Sequence, residues 1–334
     1  MQTSAARVKV TGINQVAVVV KDLQRTMEDY WNILGIGPWD VYSWEAPLVY
    51  DRTYHGKPAQ AREKIAETRV GGVVLELCQP IDGDSIYQDF LTEHGEGLHH
   101  LNFLVDDVDA TTEILAQQGF SCLQSGRCGP IKENGAYSYI DMKPLHAIWE
   151  PVHDPASIGV VPARYPNSSQ TSPARVKVTG INQVAIVVKD LQRTMEDYWN
   201  ILGIGPWDVY SWEAPLVYDR KYHGKPAQAR EKIAETRVGG VVLELCQPIA
   251  GNSIYQDFLT ERGEGLHHLN FLVDDVDATT EILVQQGFSC LQSGRFGPIE
   301  ENGAYSYIDI KPLLAIWEPV HEPESTGVVP ARYP

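Results

Sequence analysis

Four strand-like stretches of this sequence carry a polar side chain in the middle of an apolar face. In INQVAVVV, Gln15 shares a face with Ile13, Ala17 and Val19; in VVLELC, Glu76 sits with Val74 and Cys78. In GLHHLNFL, His100 lies with Leu98 and Leu104, with Asn102 on the same face; in AIWEPV, Glu150 lies between Ile148 and Val152. Strand side chains alternate with period two, so each polar group points with its apolar neighbours. An unpaired carboxylate in that setting is costly. One such residue would mean little, because a half-solvated strand routinely carries a glutamate and a lone buried histidine is usually a satisfied core residue. Four of them, a polar group on the first strand and a glutamate on the last strand of each half, say more. Together they offer one nitrogen and three or four oxygens. That set suits a divalent cation in roughly octahedral geometry with waters completing the shell: zinc first, then Mn, Co, Ni or Mg. A structural zinc site would use Cys and His instead.

The whole set occurs twice. Residues 1–166 and 169–334 align without a gap at an offset of 168, and only about fifteen positions differ. The second set is Gln183, Glu244, His268 and Glu318. A period this long is a duplicated globular domain, not a solenoid repeat. The Pro- and Ser-rich stretch HDPASIGVVPARYPNSSQTSPARVK marks the join. It divides the chain into a first domain at 1–166, a linker at 167–172 and a second domain at 173–334. The GVVPARYP tail, which also closes the chain, either packs back on its domain or serves as a spacer.

The elements that must hold these residues halve each copy again. INQVAVVV reads as a strand, and DLQRTMEDYWNILG as a helix with Leu23, Met27, Tyr30, Trp31 and Leu34 at helical spacing and Gly35 as its stop. Strands follow around WDVYSW, AREKIAETRV and VVLELCQP. The order then restarts with LHHLNFLVDD, the helix VDATTEILAQQG, and strands at CLQSGR, AYSYIDM and AIWEPVH. The prediction is an α+β fold with four βαβββ units forming two domains with curved mixed sheets. The glycine stretches lack the strand–GxGxxG–helix context of a dinucleotide site.

Composition narrows the partners. A net charge of −17 and a pI near 5.0 argue against nucleic acid and anionic membranes. No apolar run approaches the roughly 20 residues that span a bilayer, and MQTSAARVKVTG has no secretory h-region. The five cysteines include no CxxC pair, and Cys128 is Phe296 in the second copy, so a required disulfide is not expected. These features point to a cytoplasmic chain with reduced thiols.

INQVAVVVKDLQRTMEDYWNILG resembles the opening strand and helix of the vicinal oxygen chelate superfamily, the group of glyoxalase I, methylmalonyl-CoA epimerase, extradiol dioxygenases and bleomycin and fosfomycin resistance proteins. LELCQPIDGDSIYQDFLTEHGEGLHHLNFLVDDVDA is similar to its epimerase-like branch. The resemblance covers nearly all of each copy except the Pro-rich tails. It implies metal ligands at Gln15, Glu76, His100 and Glu150, and at Gln183, Glu244, His268 and Glu318, with Gln at the first position as in eukaryotic glyoxalase I. It also implies that the metal polarises a carbonyl while a carboxylate moves the α-proton, with Glu150 and Glu318 as that base. The expected activity is a metal-dependent isomerase, epimerase or glyoxalase-type lyase acting on a small α-hydroxy-carbonyl or acyl substrate through an enediolate. The epimerases' further non-ligand glutamate falls near Gln60, with Glu63 and Glu67 close by, which argues against a CoA ester. Two alternatives stay open: a resistance-type protein that sequesters a small molecule, and a non-haem iron dioxygenase, against which Gln15 speaks. The two copies form an intramolecular pseudo-dimer, with further oligomerisation open. Each copy closes its own site, or Gln15 and Glu76 join His268 and Glu318.

Of the smaller signals, His99 points away from His100 by strand alternation and reads as structural or surface. Tyr137 and Tyr139 read as core before substrate contact, and Trp44 and Trp149 as core aromatics. His146, which is Leu314 in the second copy, matters if it lines a pocket.

Overall fold

The computed structural model describes residues 8–166 and 170–333. The linker assigned to 167–172 therefore lies partly outside the described residues. The first repeat runs β1 (Gln15–Val19), α1 (Leu23–Leu34), β2 (Trp39–Trp44), β3 (Val49–Tyr54), β4 (Lys57–Pro58), β5 (Ala61–Val70), β6 (Val73–Gly83), α2 (Ile86–Glu93), β7 (Gly97–Leu104), α3 (Val108–Gln117), β8 (Ser121–Cys128), β9 (Gly135–Met142), β10 (Ala147–His153) and β11 (Ala163–Tyr165). The same order recurs from Gln183–Val187 to Ala331–Tyr333. Each repeat forms one curved mixed sheet in the order β11-β2-β5-β6-β1-β7-β10-β9-β8-β3-β4. The α+β fold of two such domains is the predicted one. Beyond the predicted elements, the structure adds the β3–β4 hairpin and α2. The tail packs back: β11 pairs antiparallel with β2, Ala163 against Val41.

Local signals explain the boundaries. The Asp22 side chain caps α1 by accepting from the Arg25 N–H, and Gly35 ends it at φ 68°. Ser85 caps α2 in the same way, accepting from the Gln88 N–H. Pairing β1 parallel to β6 and antiparallel to β7 puts the first strands of both βαβββ units at the centre of the sheet.

The two faces of the sheet have separate fates. Val16, Val18, Leu75, Leu77, Leu101 and Trp149 face a core that runs without interruption into the second repeat. Each such fully buried side chain stabilises by ~1.5–3 kcal/mol relative to exposure. The opposite face holds Ala17, Val19, Cys78, Tyr137, Tyr139 and Val152 in a core private to the repeat. Trp149 is fully buried as expected, whereas Trp44 is half-buried.

The repeats clasp each other reciprocally. The Tyr30 hydroxyl donates to the Leu313 carbonyl at 2.8 Å, and Tyr198 donates to Leu145 at 2.9 Å. The segment before each first strand crosses to the other copy: Val10 N–H reaches the Leu202 carbonyl and Val178 N–H the Leu34 carbonyl, both at 2.9 Å. The β5–β6 turn packs backbone against backbone, and a Cβ on Gly71 would stand 2.8 Å from the Gly180 Cα. Gly71→Ala is expected to cost about 1–3 kcal/mol from overpacking beyond the strain of its positive φ. Gly56, also left-handed but with nothing within 4 Å, supplies the control. Thermal unfolding of the two variants should show the larger loss for Gly71→Ala; equal losses would mean that this contact is not close-packed.

Candidate active site

The inner face of each sheet gathers the polar residues singled out above. Register places Ala17 between Glu76 on β6 and His100 on β7, and Glu150 on β10 beside Asn102. His100 Nε2 lies 3.4 Å from Glu76 Oε2 and 3.3 Å from Glu150 Oε2. In the second repeat His268 Nε2 lies 3.4 Å from Glu244 and 3.2 Å from Glu318. Both clusters are built within one repeat, so the swapped arrangement of Gln15 and Glu76 with His268 and Glu318 does not occur. Gln15 sits one pleat away, opposite Asn102, and is buried like its copy Gln183.

The cluster is held from behind. The Asn102 amide donates to Glu150 Oε2 at 3.1 Å, and the Cys78 thiol donates to Glu76 Oε2 at 3.0 Å. Tyr87 from α2 lies parallel to the His100 ring, centroids 6.2 Å apart, and its hydroxyl meets that of Tyr139 at 2.5 Å. Tyr139 packs edge-on to His100 at 5.0 Å. Both predicted tyrosines are core residues with satisfied hydroxyls: Tyr137 accepts from Arg52 Nε at 3.2 Å. Burial presses the His100 ring down, but the Glu150 and Glu76 carboxylates outweigh it and hold it up at about 9. Burial raises Glu150, although His100 works against the rise.

His99 departs from its expected place. The β1–β7 register shifts between Ala17 and Val18, whose partners are His100 and Leu98. His99 is the extra residue of a β-bulge, which suspends strand alternation and re-aims the side chain. Its Nδ1 lies 2.9 Å from His100 Nδ1, and the ring is buried, so of the two expectations the structural one holds and the surface one does not. His267 and His268 repeat this at 2.8 Å.

Sequence reasoning missed Tyr87 because it did not read α2. The signal was present: Ser85 followed three residues later by Gln88 is a capping pattern. Glu67 stands opposite Glu76 across the β5–β6 pair. Burial, then the charges of Glu76, Asp154 and Glu150, push it up to about 8, and its copy Glu235 is also at about 8. Gln60 lies elsewhere, on a cavity of about 800 Å³ that Arg52 and Asp82 also line. A larger cavity of about 840 Å³ lies between the repeats. No member of either quartet lines these cavities.

Beside the cluster, Arg52 and Glu63 form a buried ion pair, repeated as Arg220 with Glu231 at 2.6 Å. Removing one partner strands the other charge away from water. Glu63→Gln should cost about 3–5 kcal/mol, whereas Arg52→Met with Glu63→Leu should cost far less. Urea midpoints of the two variants decide; equal losses would show that the pair stabilises outright.

The donor set fits a divalent ion in kind, with one imidazole nitrogen facing two carboxylates and an amide close by. His100 Nε2 and His268 Nε2 are buried without a hydrogen-bond partner, and the Nδ1 contact to the neighbouring histidine is the kind that orients a ligating ring. The spacing is that of an ion pair, and among the described residues no group of three or more His, Cys, Asp or Glu stands in a geometry that could hold a metal ion. Also among the described residues, no helix is long and apolar enough to cross a membrane.

Comparison with known proteins places the chain. An uncharacterized protein, YqjC, of Bacillus subtilis (strain 168) is 24% identical over 106 residues, 32% of this chain and 66% of the relative's length. The match thus spans just under two thirds of that relative. A mutant 4-hydroxymandelate synthase from Streptomyces coelicolor has a similar structure, with a TM-score of 0.59 at 18% identity over 94% of this chain and 93% of that one. A methylmalonyl-CoA epimerase aligns with 42% of this chain and 92% of its own, at 24% identity and a TM-score of 0.32. The likeness to the synthase shows the fold. A family model matches at residues 14–137 and again at 182–306, taking in Gln15, Glu76, His100 and their copies and ending before Glu150 and Glu318, and the chain therefore belongs to the Glyoxalase/Bleomycin resistance protein/Dioxygenase superfamily.

Proposed function

We propose that each repeat is a divalent-metal-dependent isomerase or epimerase centre that moves the α-proton of a small α-hydroxy-carbonyl or acyl compound; a glyoxalase-type lyase reaction uses the same step. The observation that carries this reading is the convergence of Glu76 and Glu150 on His100 Nε2, reproduced by Glu244, Glu318 and His268. Gln15, Glu76, His100 and Glu150 would hold the ion, zinc first among Zn, Mn, Co, Ni and Mg. When bound, such an ion supplies Lewis-acid polarisation of a carbonyl and steadies the negative charge that develops on it.

The chain's own residues do the rest. Glu150 takes the proton from the α-carbon onto a carboxylate oxygen. It returns that proton to the opposite face in an epimerisation, or to the neighbouring carbon in an isomerisation. Asn102 fixes which oxygen is engaged by donating to Oε2. Tyr87, Tyr139 and Val152 wall the cluster with apolar surface and keep bulk water from the proton being moved.

The test is solvent exchange. Incubated in deuterium oxide with a panel of α-hydroxy ketones and aldehydes, the protein should place deuterium at the α-carbon of at least one, seen by proton NMR and lost on chelation. A panel-wide absence of exchange, together with oxygen consumption by iron-loaded protein, would transfer the family assignment to oxygenase chemistry.

A further inference from the structure

Two residues adjacent in a regular strand project to opposite faces, so their side chains cannot meet. His99 and His100 do meet. The bulge sets two residues of β7 against one of β1 and turns His99 back beside His100. Their Nδ1 atoms come to 2.9 Å, and the second repeat builds the same contact at 2.8 Å, on the same bulge between Ala185 and Ile186. We propose that His99, with His267 in the second repeat, is a positioning residue, which fixes the ring of the ligating histidine by accepting a hydrogen bond from its Nδ1–H. The inference rests on the reading of each quartet as a metal centre.

Two ring nitrogens at that distance need one hydrogen between them, because two hydrogens or two lone pairs would repel. The far side of His100 decides which ring supplies it. His100 Nε2 is buried without a hydrogen-bond partner and faces Glu76 and Glu150 at 3.4 and 3.3 Å. To take an ion there, Nε2 must offer its lone pair, so the hydrogen of the ligating ring is on Nδ1. His99 Nδ1 is then the acceptor, and His99 carries its own hydrogen on Nε2. The bond made by one nitrogen of a ligating histidine sets which nitrogen is free for the metal and how the ring is turned. A carboxylate, backbone carbonyl or water usually accepts that bond; here a second imidazole does.

The acceptor is itself held in place. His99 is only 4% exposed, with Phe90 edge-on to it at 4.8 Å and Tyr87 edge-on at 5.4 Å between ring centroids. Both come from α2. Phe258 and Tyr255 hold His267 in the same way at 4.9 and 5.4 Å. Tyr87 also lies parallel to the His100 ring, so one helix packs on both members of the pair. A buried acceptor wedged between aromatic rings has little freedom to turn, and it passes that rigidity to His100 through the hydrogen bond. The affinity of the centre for its ion then depends on a residue that supplies no ligand.

Two double variants of the full chain test this: His99→Leu with His267→Leu, and His99→Asn with His267→Asn. Both side chains branch at the same carbon as histidine. Leu places a methyl where Nδ1 stands, and Asn an amide oxygen that can accept. Both are smaller than imidazole, so the space left beside Phe90 is common to the two, and a role in packing alone would treat them alike. Zinc affinity, measured by competition with a chromophoric chelator, should fall about 10–100-fold in the Leu pair and recover most of that loss in the Asn pair. Wild-type affinity in the Leu pair, or an Asn pair as weak as the Leu pair, overturns the inference. Nitrogen-15 NMR of the wild-type chain needs no variant to fold. It should show a coupling across the hydrogen bond between the two Nδ1 nuclei, with the hydrogen bonded to His100 in the zinc-loaded chain. A missing coupling, or a hydrogen on His99 Nδ1 in that state, overturns the inference as well. A wild-type chain that takes up no zinc marks failure of the metal-centre reading instead; the coupling in the zinc-free chain then decides whether His99 holds the ring, and its absence overturns that.

Discussion

Replacing Glu150 and Glu318 together by Gln should abolish α-proton exchange while leaving the fold intact. Glutamine keeps the shape and can still face Asn102, but it cannot take a proton. General acid–base catalysis is worth about 10²–10⁴-fold, and the double variant should lose at least that. Each single variant should keep about half the activity, because each centre is built within its own repeat. Circular dichroism and thermal unfolding serve as the fold control, since removing a buried carboxylate beside His100 changes local charge. Full activity in the double variant would dismiss Glu150 and Glu318 as the base. A single variant as dead as the double would mean that the repeats act as one unit, which the continuous core between them makes physically reasonable.

Elemental mass spectrometry of the purified chain should find close to two divalent ions, one per quartet. His100→Ala should remove one of them and His100→Ala with His268→Ala both. A bound ion stabilises the folded state by mass action, by about 2.7 kcal/mol at a hundredfold excess over its dissociation constant. The wild-type melting temperature should therefore rise on metal addition and that of the double variant should not. Loss of both ions in the single variant would mean one shared centre. An apo chain that takes up no metal on reconstitution would favour a protein that sequesters a small molecule.

Much of this site was legible because strands have a short period. Gln15, Glu76 and Glu150 could be placed on apolar faces from alternation alone; His100 shares their inner face, but the bulge beside it turns Leu98, its expected neighbour on that face, to the opposite core with Val18. The βαβββ order was legible for the same reason, aided by Gly35 as the stop of the first helix. The β3–β4 hairpin was not: VYDRTYHGKP has little alternation, and its strand is held by pairing with β8, far away in sequence. His99 was placed on the wrong face because a bulge cannot be seen in one strand. It is defined by two residues opposing one, and the partner strand supplies the one.

The sequence by itself determined the duplication, the fold class, the acidic surface and which polar residues had to be buried, because these depend on composition and local periodicity. Only the tertiary structure decided that Glu76, His100 and Glu150 meet within a repeat, since both copies carry identical residues and no pattern distinguishes the pairings. Strand register decided it, through Ala17 between Glu76 and His100 and Asn102 beside Glu150. The tertiary structure also made His146 and Leu314 matter, by setting these otherwise ordinary differences on the wall of a cleft between two nearly identical halves.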